Sequence, residues 1–450
     1  LRAALLPALL LPEAPAPAQD VQAATAQHAE ESGMSILIKN ILLNDQIQDV
    51  YIEDNHFKTI GPNLDVAALE LIDGSNMAIL PSFINAHTHA AMTLLRGYAD
   101  DLDLHTWLQD HIWPFESQLT FDDIYIGAKL ACLEMIKTGT TFFCDMYWHL
   151  PATLKAVSEM GIRAALSSVF IDFNDPKKAK DFRARTRKFF REKQGHERVI
   201  FTLGPHAIYT VSRDSLTWLK DFADENELLI HIHVSETRKE VHDCLKMHGI
   251  RPVKYLESIG FLGPKVIACH TVWVNEEEMD ILASRGVKVV HNPVSNMKLG
   301  SGSFPFKEMS QRGICLGLGT DGCSSNNNLD MLEEMKIAAL QAKLNHHDPT
   351  LFTADQALEC ATLGGARIFG LDMGKIAVGM LADCILINLN HYSLLPRHDL
   401  ISNLVYSATS ESIDTTICNG QILMRNRKVP GEENIVEEVK IWENKLKKRP

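Results

Sequence analysis

Eight short, nearly all-apolar runs punctuate the middle of this chain, most of them separated by a stretch of helical period. They are "AILPSFINAHTH", "TTFFCDMY", "IRAALSSVF", "VIFTLGPH", "LLIHIHVSE", "KVIACHTVW", "VKVVHNPVSN" and "CLGLGTDG". A strand that is apolar on both faces must be covered on both faces, which calls for a parallel sheet with helices packed outside it. The intervening segments, such as "FDDIYIGAKLACLEMIKTG" and "NEEEMDILASRG", supply those helices. Eight strand–helix units in series predict an α/β fold of the TIM (β/α)8 barrel type.

The flanks read differently. From Met34 onward, "ILIKNILLN", "IQDVYIEDNHFKTIG" and "ALELIDGSNMAIL" alternate apolar and polar residues between turn signals, and "GKIAVGMLADCILINLN" repeats that texture late in the chain. We therefore expect a small composite β-sandwich from residues 34–80 and 374–430, beside a barrel spanning 81–373. Residues 431–450 read as a charged terminal helix carrying no chemistry. The Ala/Leu/Pro-rich residues 1–33 read as an upstream extension before Met34, with a cleaved signal peptide as the alternative, and disorder is expected there.

Composition narrows the setting. A net charge of −13 argues against non-specific nucleic-acid binding. No apolar run reaches the roughly 18 residues needed to cross a bilayer. The nine cysteines are scattered without a CxxC pair, which suits a reducing cytoplasm better than a disulfide framework.

In a barrel of this kind the chemistry sits at the C-terminal ends of the strands. Those ends carry His87 and His89, His206, His233 followed by Glu236, His270, His291 with Asn292, and Asp321. Each is costly beside a core unless it has a partner, and chance would not end so many of eight strands in imidazole or carboxylate. Two histidines one residue apart on a strand point to the same side. His87, His89, His233 and Asp321 thus form a set of N and O donors for a divalent cation, best matched by one Zn2+ per chain, with Fe2+ or Mn2+ as alternatives. A cation with an open position lowers the pKa of its water to about 7. His270 is expected beside it, as a further ligand or to polarise water. Glu236 is placed to move protons, and Asp321 to serve both cation and water. His231 lies one pleat deeper and reads as packing, and His291 as a structural or supporting ring. His56, His105, His111, His149, His196, His346 and His347 read as ordinary surface or rim residues.

The runs "NAHTH", "HIHVSE", "ACHTVW" and "GTDGCSSNN", in that order, resemble the amidohydrolase superfamily. Within it, "HTHAAMTLLRGYADDLDLHTWLQDHIWPFE" resembles the 5-methylthioadenosine/S-adenosylhomocysteine deaminases, near the branch that includes the triazine hydrolases. The likeness spans Met34 to Asn426. It implies a TIM barrel with a small β-sandwich, a single zinc on His87, His89, His233 and Asp321, and Glu236 as proton shuttle. It also implies hydrolytic removal of the amine at C6 of an adenine ring. By the same likeness Glu116 and His206 contact the nucleoside, and Glu116 suits paired ribose hydroxyls. Trp113 could wall the purine. Relatives with two metals bridge them by a lysine on strand four. "VIFTLGPHAIYT" has none, so a mononuclear site is expected.

One departure concerns the substrate. Relatives acting on S-adenosylhomocysteine can hold its carboxylate with an arginine after strand three. Here Ser167 and Ser168 stand at the expected strand end and Arg163 at its start, which favours the methylthio substrate. Lys177, Lys178 or Arg183 are the candidate substitutes. The competing readings are guanine, cytosine or triazine deamination or dechlorination on the same scaffold, and a non-catalytic barrel scaffold. The expected partner is a small purine nucleoside, with neither nucleic acid nor membrane. Self-association through apolar helix surface is allowed, without a subunit count.

Overall fold

A computed structural model describes residues 33–446, so the expectation for the N-terminal extension falls outside the described residues. Among the described residues sixteen strands form two sheets. The flanking sheet uses β1 (Ser35–Leu43), β2 (Gln46–Glu53), β3 (His56–Gly61), β4 (Glu70–Asp73) and β5 (Met77–Pro81). The central sheet follows with β6 (Phe83–Thr88), β7 (Thr140–Asp145), β8 (Arg163–Phe170), β9 (Val199–Pro205), β10 (Ile230–Val234), β11 (Val266–His270), β12 (Lys288–His291) and β13 (Leu316–Leu318). The chain then returns to the flanking sheet with β14 (Cys384–Asn388), β15 (Ile413–Cys418) and β16 (Gln421–Met424).

The central strands pair in unbroken chain order, β6 to β13, and every pairing is parallel. β6, β7, β10 and β11 are buried at every position, which is why their sequences show no alternation. The barrel closes between its first and last strands. Asn85 accepts the Thr320 N–H at 2.9 Å and donates to Thr320 Oγ1 at 2.7 Å, and the Asp321 N–H donates to the His87 carbonyl at 3.0 Å. The apolar interior below holds Ile84, Phe142, Ile267 and Val290 and is plugged by Phe369, whose ring lies 4.7 Å from that of Phe142. This is the TIM barrel that the eight runs predict.

The remaining strands form one mixed sheet in the order β16-β15-β14-β5-β1-β2-β3, with β4 forking off β1 around a core of Ile38, Ile41, Val50, Ile52, Phe57 and Ile417. Both chain ends build it, as expected. One reading needs correction: "AILPSFINAHTH" is not a single strand. It breaks at Ser82, so that β5 joins the flanking sheet and only β6 enters the barrel. Arg163 ties the two bodies together, donating to both oxygens of buried Asp383 at 3.1 Å and to Asn419 at 2.5 Å. The terminal helix Glu432–Leu446 is not merely a charged tail. Its Trp442 is buried against the segment that roofs the barrel mouth and donates to Asp123 at 2.7 Å. Among the described residues no helix is long and apolar enough to cross a membrane.

Candidate metal centre and substrate cavity

β6 delivers His87 as its penultimate residue and His89 just past its end, so both rings reach the barrel mouth. The Nε2 atoms of His87 and His89 lie 3.3 and 3.2 Å from Oδ1 of Asp321. One donor atom each from His87, His89 and His233 fall within 4.8 Å of one another, as do those of His87, His270 and Asp321. Donors about 2.1 Å from a tetrahedral cation sit about 3.4 Å apart, so the carboxylate-to-imidazole spacing matches a shared cation. His87 Nε2 is sealed from solvent and, despite the nearby carboxylate, makes no aligned hydrogen bond. A buried nitrogen left this way is costly, and a cation would satisfy it.

The far sides of the donors are already committed, which fixes their tautomers. The Nδ1–H of His89 donates to the Met146 carbonyl at 2.6 Å, and that of His233 to the His206 carbonyl at 2.7 Å. His270 Nδ1 donates to Asn296 Oδ1 at 2.8 Å. Oδ2 of Asp321 accepts from Ser295 at 2.6 Å and from Ser325 at 3.0 Å, leaving Oδ1 to face the rings. His231, expected only to pack, is the ring that supports His87, with Nε2 2.9 Å from His87 Nδ1. Beneath it stand Cys144, Cys269 and Ser167. Two backbone features allow this convergence. Ser235, His270 and Asp321 adopt φ of 51°, 69° and 63°, a strained region for residues with side chains. Gly319 lets β13 approach β6, since a Cβ there would fall 2.8 Å from the His87 nitrogen and 2.9 Å from its Cβ.

Burial and charge set the ionisation states. Burial holds His87 down at about 4 and His206 at about 3, and drives His233 well below its ordinary value. His89 is buried as well, but its contact with the Asp321 carboxylate outweighs that and lifts it to about 9. Against its own burial, Asp321 is held far below the usual carboxylate range by His87 and His89. A proton and a cation therefore compete for one place beside Asp321. Burial raises Glu236, which faces His270 Nε2 across 3.9 Å. The backbone N–H groups of Ser235 and Glu236 both donate to Glu240 at 2.8 Å, so the loop carrying Glu236 is clamped.

These groups open into a cavity at the barrel mouth. His89, His233, Glu236, His270 and Asp321 line one end. Leu104, Trp107, Leu108, Ile112 and Trp113 form an apolar wall, and Glu116, His206 and Tyr209 also line the space. A mostly apolar hollow with a few convergent polar groups is the usual form of a small-molecule site. Glu116 accepts from Trp148 Nε1 at 3.2 Å through Oε2, its Oε1 is buried without a well-aligned hydrogen bond, and the Tyr147 hydroxyl lies against the carboxylate. Burial raises the Glu116 carboxyl. His206 spends Nδ1 on Thr210 at 2.9 Å, which leaves Nε2 for another partner.

The Amidohydrolase family model matches residues 78–423. This chain belongs to the amidohydrolase family. The amidohydrolase is 45% identical over 397 residues to a 5'-deoxyadenosine deaminase of Methanothermobacter thermautotrophicus, covering 88% of this chain and 92% of that protein. It is 47% identical over 399 residues to a 5-methylthioadenosine/S-adenosylhomocysteine deaminase of Thermococcus sibiricus, covering 87% of this chain and 94% of that protein. A crystal structure of an adenosine deaminase from Xanthomonas campestris with bound zinc superimposes with a TM-score of 0.87 at 31% identity, covering 93% of this chain and 99% of that one.

The structure thus brings His87, His89, His233, His270, Asp321 and Glu236 together, and places Glu116, Trp113 and His206 on the same cavity. Sequence reading missed the support: Asp145, Ser295 and Asn296. Asp145 ends β7, accepts the Ala90 N–H at 2.7 Å just after His89, and is raised to about 6 by burial. Its position at the end of "TTFFCD" is the signal that could have found it. The strand-three reading also needs correction. β8 runs on to Phe170, so Ser167 is buried in the interior against Thr202 and His231, and Val169 and Ile171 face the cavity instead. None of Lys177, Lys178 or Arg183 lines the cavity. Arg183 donates to Ser215 at 3.1 Å, and Lys178 lies 5.2 Å over the Phe173 ring.

Proposed function

We propose that this amidohydrolase is a hydrolytic deaminase acting at C6 of the adenine ring of 5'-thioether or 5'-deoxy adenosines, releasing ammonia and the inosine-type product. The observation that carries this reading is one cavity that joins a His/Asp donor cluster and Glu236 to the buried carboxylate of Glu116. The names of the similar proteins narrow the substrate to adenosine-type nucleosides.

His87, His89, His233 and Asp321 would hold one divalent cation, for which zinc is the proposed ion. When bound it supplies a Lewis acid that lowers the pKa of its water to about 7. Asp321 takes a proton from the attacking water, whose oxygen bonds to C6 as the C6–N1 double bond opens. Glu236 delivers its proton to N1, a role suited to a carboxyl raised by burial. Asp321 then passes its proton to the exocyclic nitrogen, the C6–N bond breaks, and ammonia leaves. The remaining hydroxyl proton returns to Glu236 as the C6 carbonyl forms. His270, with Nδ1–H committed to Asn296, presents Nε2 to the entering water and to Glu236. Glu116 accepts hydrogen bonds from the ribose hydroxyls, and the Trp113 side of the wall covers the purine.

Ammonia release over a panel of adenosine thioethers, adenosine, guanine, cytosine and aminotriazines tests the substrate class, and silence with every adenosine-type compound overturns it. Glu236→Gln is expected to retain its cation while losing about 10²–10⁴-fold in turnover. Near-normal rates in that variant would refute the shuttle role.

A further inference from the structure

The cavity does not end at Glu116. A second groove shares Trp113, Glu116, Trp148 and Ile171 with it and runs outward past Phe173 to Arg185. Arg185 belongs to the helix Pro176–Glu192, whose sequence "PKKAKDFRARTRKFFRE" carries eight Lys and Arg residues against Asp181 and Glu192. In a chain of net charge −13 this is a strong local reversal of sign. Few of these cations meet a counter-charge. Among the described residues Arg191 alone of the eight forms an ion pair, with the adjacent Glu192. Arg185 is exposed and lies 4.4 Å over the ring of Phe182, a packing that orients it without neutralising it.

The groove walls are mainly aromatic and aliphatic, with Ser117 and His149 among them, and of the described residues Glu116 is the one carboxylate lining it. Its Oε1 is sealed from solvent at the junction between the two spaces, and the carboxylate is already engaged by Trp148 and Tyr147. A substituent leaving the nucleoside toward solvent would therefore pass apolar rings and meet positive charge, with no outer carboxylate to receive an ammonium group. Such a field concentrates anions at a cleft mouth and raises their rate of entry, and salt weakens the effect.

We propose that the outer groove selects adenosine-type substrates whose 5' arm ends in a carboxylate without a neighbouring ammonium, with Arg185 and the helix behind it as the specificity element. This rests on the deaminase reading of the inner cavity. The recognised chemistry is an adenosine thioether of net negative charge, distinct from a neutral methyl or a zwitterionic amino-acid arm.

The test compares kcat/KM for three 5'-thioethers of adenosine that end in methyl, in a propionate carboxylate, and in an amino acid. They are measured on the wild-type holoenzyme and on Arg185→Glu, at low and at physiological salt. In the wild type at low salt the propionate compound is expected to exceed the methyl compound by about 10-fold, with the amino-acid compound between them. That ratio should fall toward one on raising salt, and below one in Arg185→Glu. A wild-type ratio at or below one, or a ratio that neither salt nor Arg185→Glu moves, overturns the proposal. Calorimetric binding of the same three compounds separates the two readings. If none is deaminated the activity reading fails, and tighter binding of the propionate compound still supports the groove assignment, whereas equal binding refutes it.

Discussion

At the floor of the cavity every donor side chain is fixed by a second polar contact, whereas the wall facing it, from Leu104 to Glu116, is held by apolar packing around Trp107, Leu108 and Ile112. The floor grows out of parallel strands stitched to one another. The wall is a connection, partly coiled into a wide helical turn over Trp107–Ile112, and its one inward carboxylate, Glu116, keeps an oxygen without a well-aligned hydrogen bond. The contrast teaches that reactivity and recognition are built by different means here. Reacting atoms demand placement to a few tenths of an ångström, which hydrogen-bonded strand ends provide. A wall that must admit and release a flat aromatic ring is better made of side chains that can repack.

The largest expected effect breaks the floor. Asp321→Ala or His233→Ala should lose the bound cation and at least about 10³-fold in turnover. Metal analysis of the purified variant beside its rate checks this, and a variant that retains a full complement of cation refutes the ligand assignment. The comparison sharpens with Ser295→Ala, which leaves every ligand in place and removes the shorter of the two hydrogen bonds to Oδ2 of Asp321. Loss of such an outer support is expected to cost about 10–100-fold in cation affinity or rate.

The wall predicts a smaller and differently shaped effect. Glu116→Gln keeps size and removes charge, and a hydrogen bond to a charged group contributes about 1.5–3 kcal/mol. KM for a ribose-bearing substrate should rise about 10-fold or more while kcat moves little. Weak turnover of the free base adenine, which has no ribose hydroxyls, should be unchanged. A fall in kcat with KM preserved would move Glu116 from recognition into the chemistry.

What could be read from the sequence follows the same division. Strands β6 to β13 were legible because burial on both faces writes itself as unbroken apolar runs, and the ligands because a histidine or aspartate at the end of such a run has no packing reason to be there. The break at Ser82 was not legible, since β5 and β6 are both apolar and only the partner strand distinguishes them. His231 could be placed by parity on the inner face, yet its support of His87 depends on the 2.9 Å approach of two strands that are not neighbours in the sheet. Ser295 and Asn296 are polar residues in a short helix, Pro293–Lys298, and nothing local marks which carboxylate or imidazole they meet. Glu116 was legible only through its likeness to relatives, because a carboxylate in "WPFE" otherwise reads as a solvated helix residue.

An effect on folding alone, with no change in chemistry, concerns the acid stability of the floor. His291 stacks on Phe304 with ring centroids 4.2 Å apart, its Nδ1 is buried without a partner, and burial, with His270 nearby, holds its pKa down at about 3. The unfolded ring titrates near 6.5. Between these values the unfolded chain binds a proton that the folded ring refuses. The contribution to stability is therefore complete above about pH 6.5 and is lost as pH falls toward 3, at about 1.4 kcal/mol per pH unit for one ring. His206 at about 3 and His87 at about 4 carry the same sign. Those two face the cavity or the cation, so a substitution there would disturb chemistry as well as stability. His291 does not line the cavity and isolates the effect. In His291→Leu, urea-unfolding free energies between pH 6 and 4 should decline less steeply than in the wild type, by about 1.4 kcal/mol per pH unit. Parallel declines in the two proteins would mean that the ring is already protonated in the folded state, and that the apolar packing around it tolerates a charge.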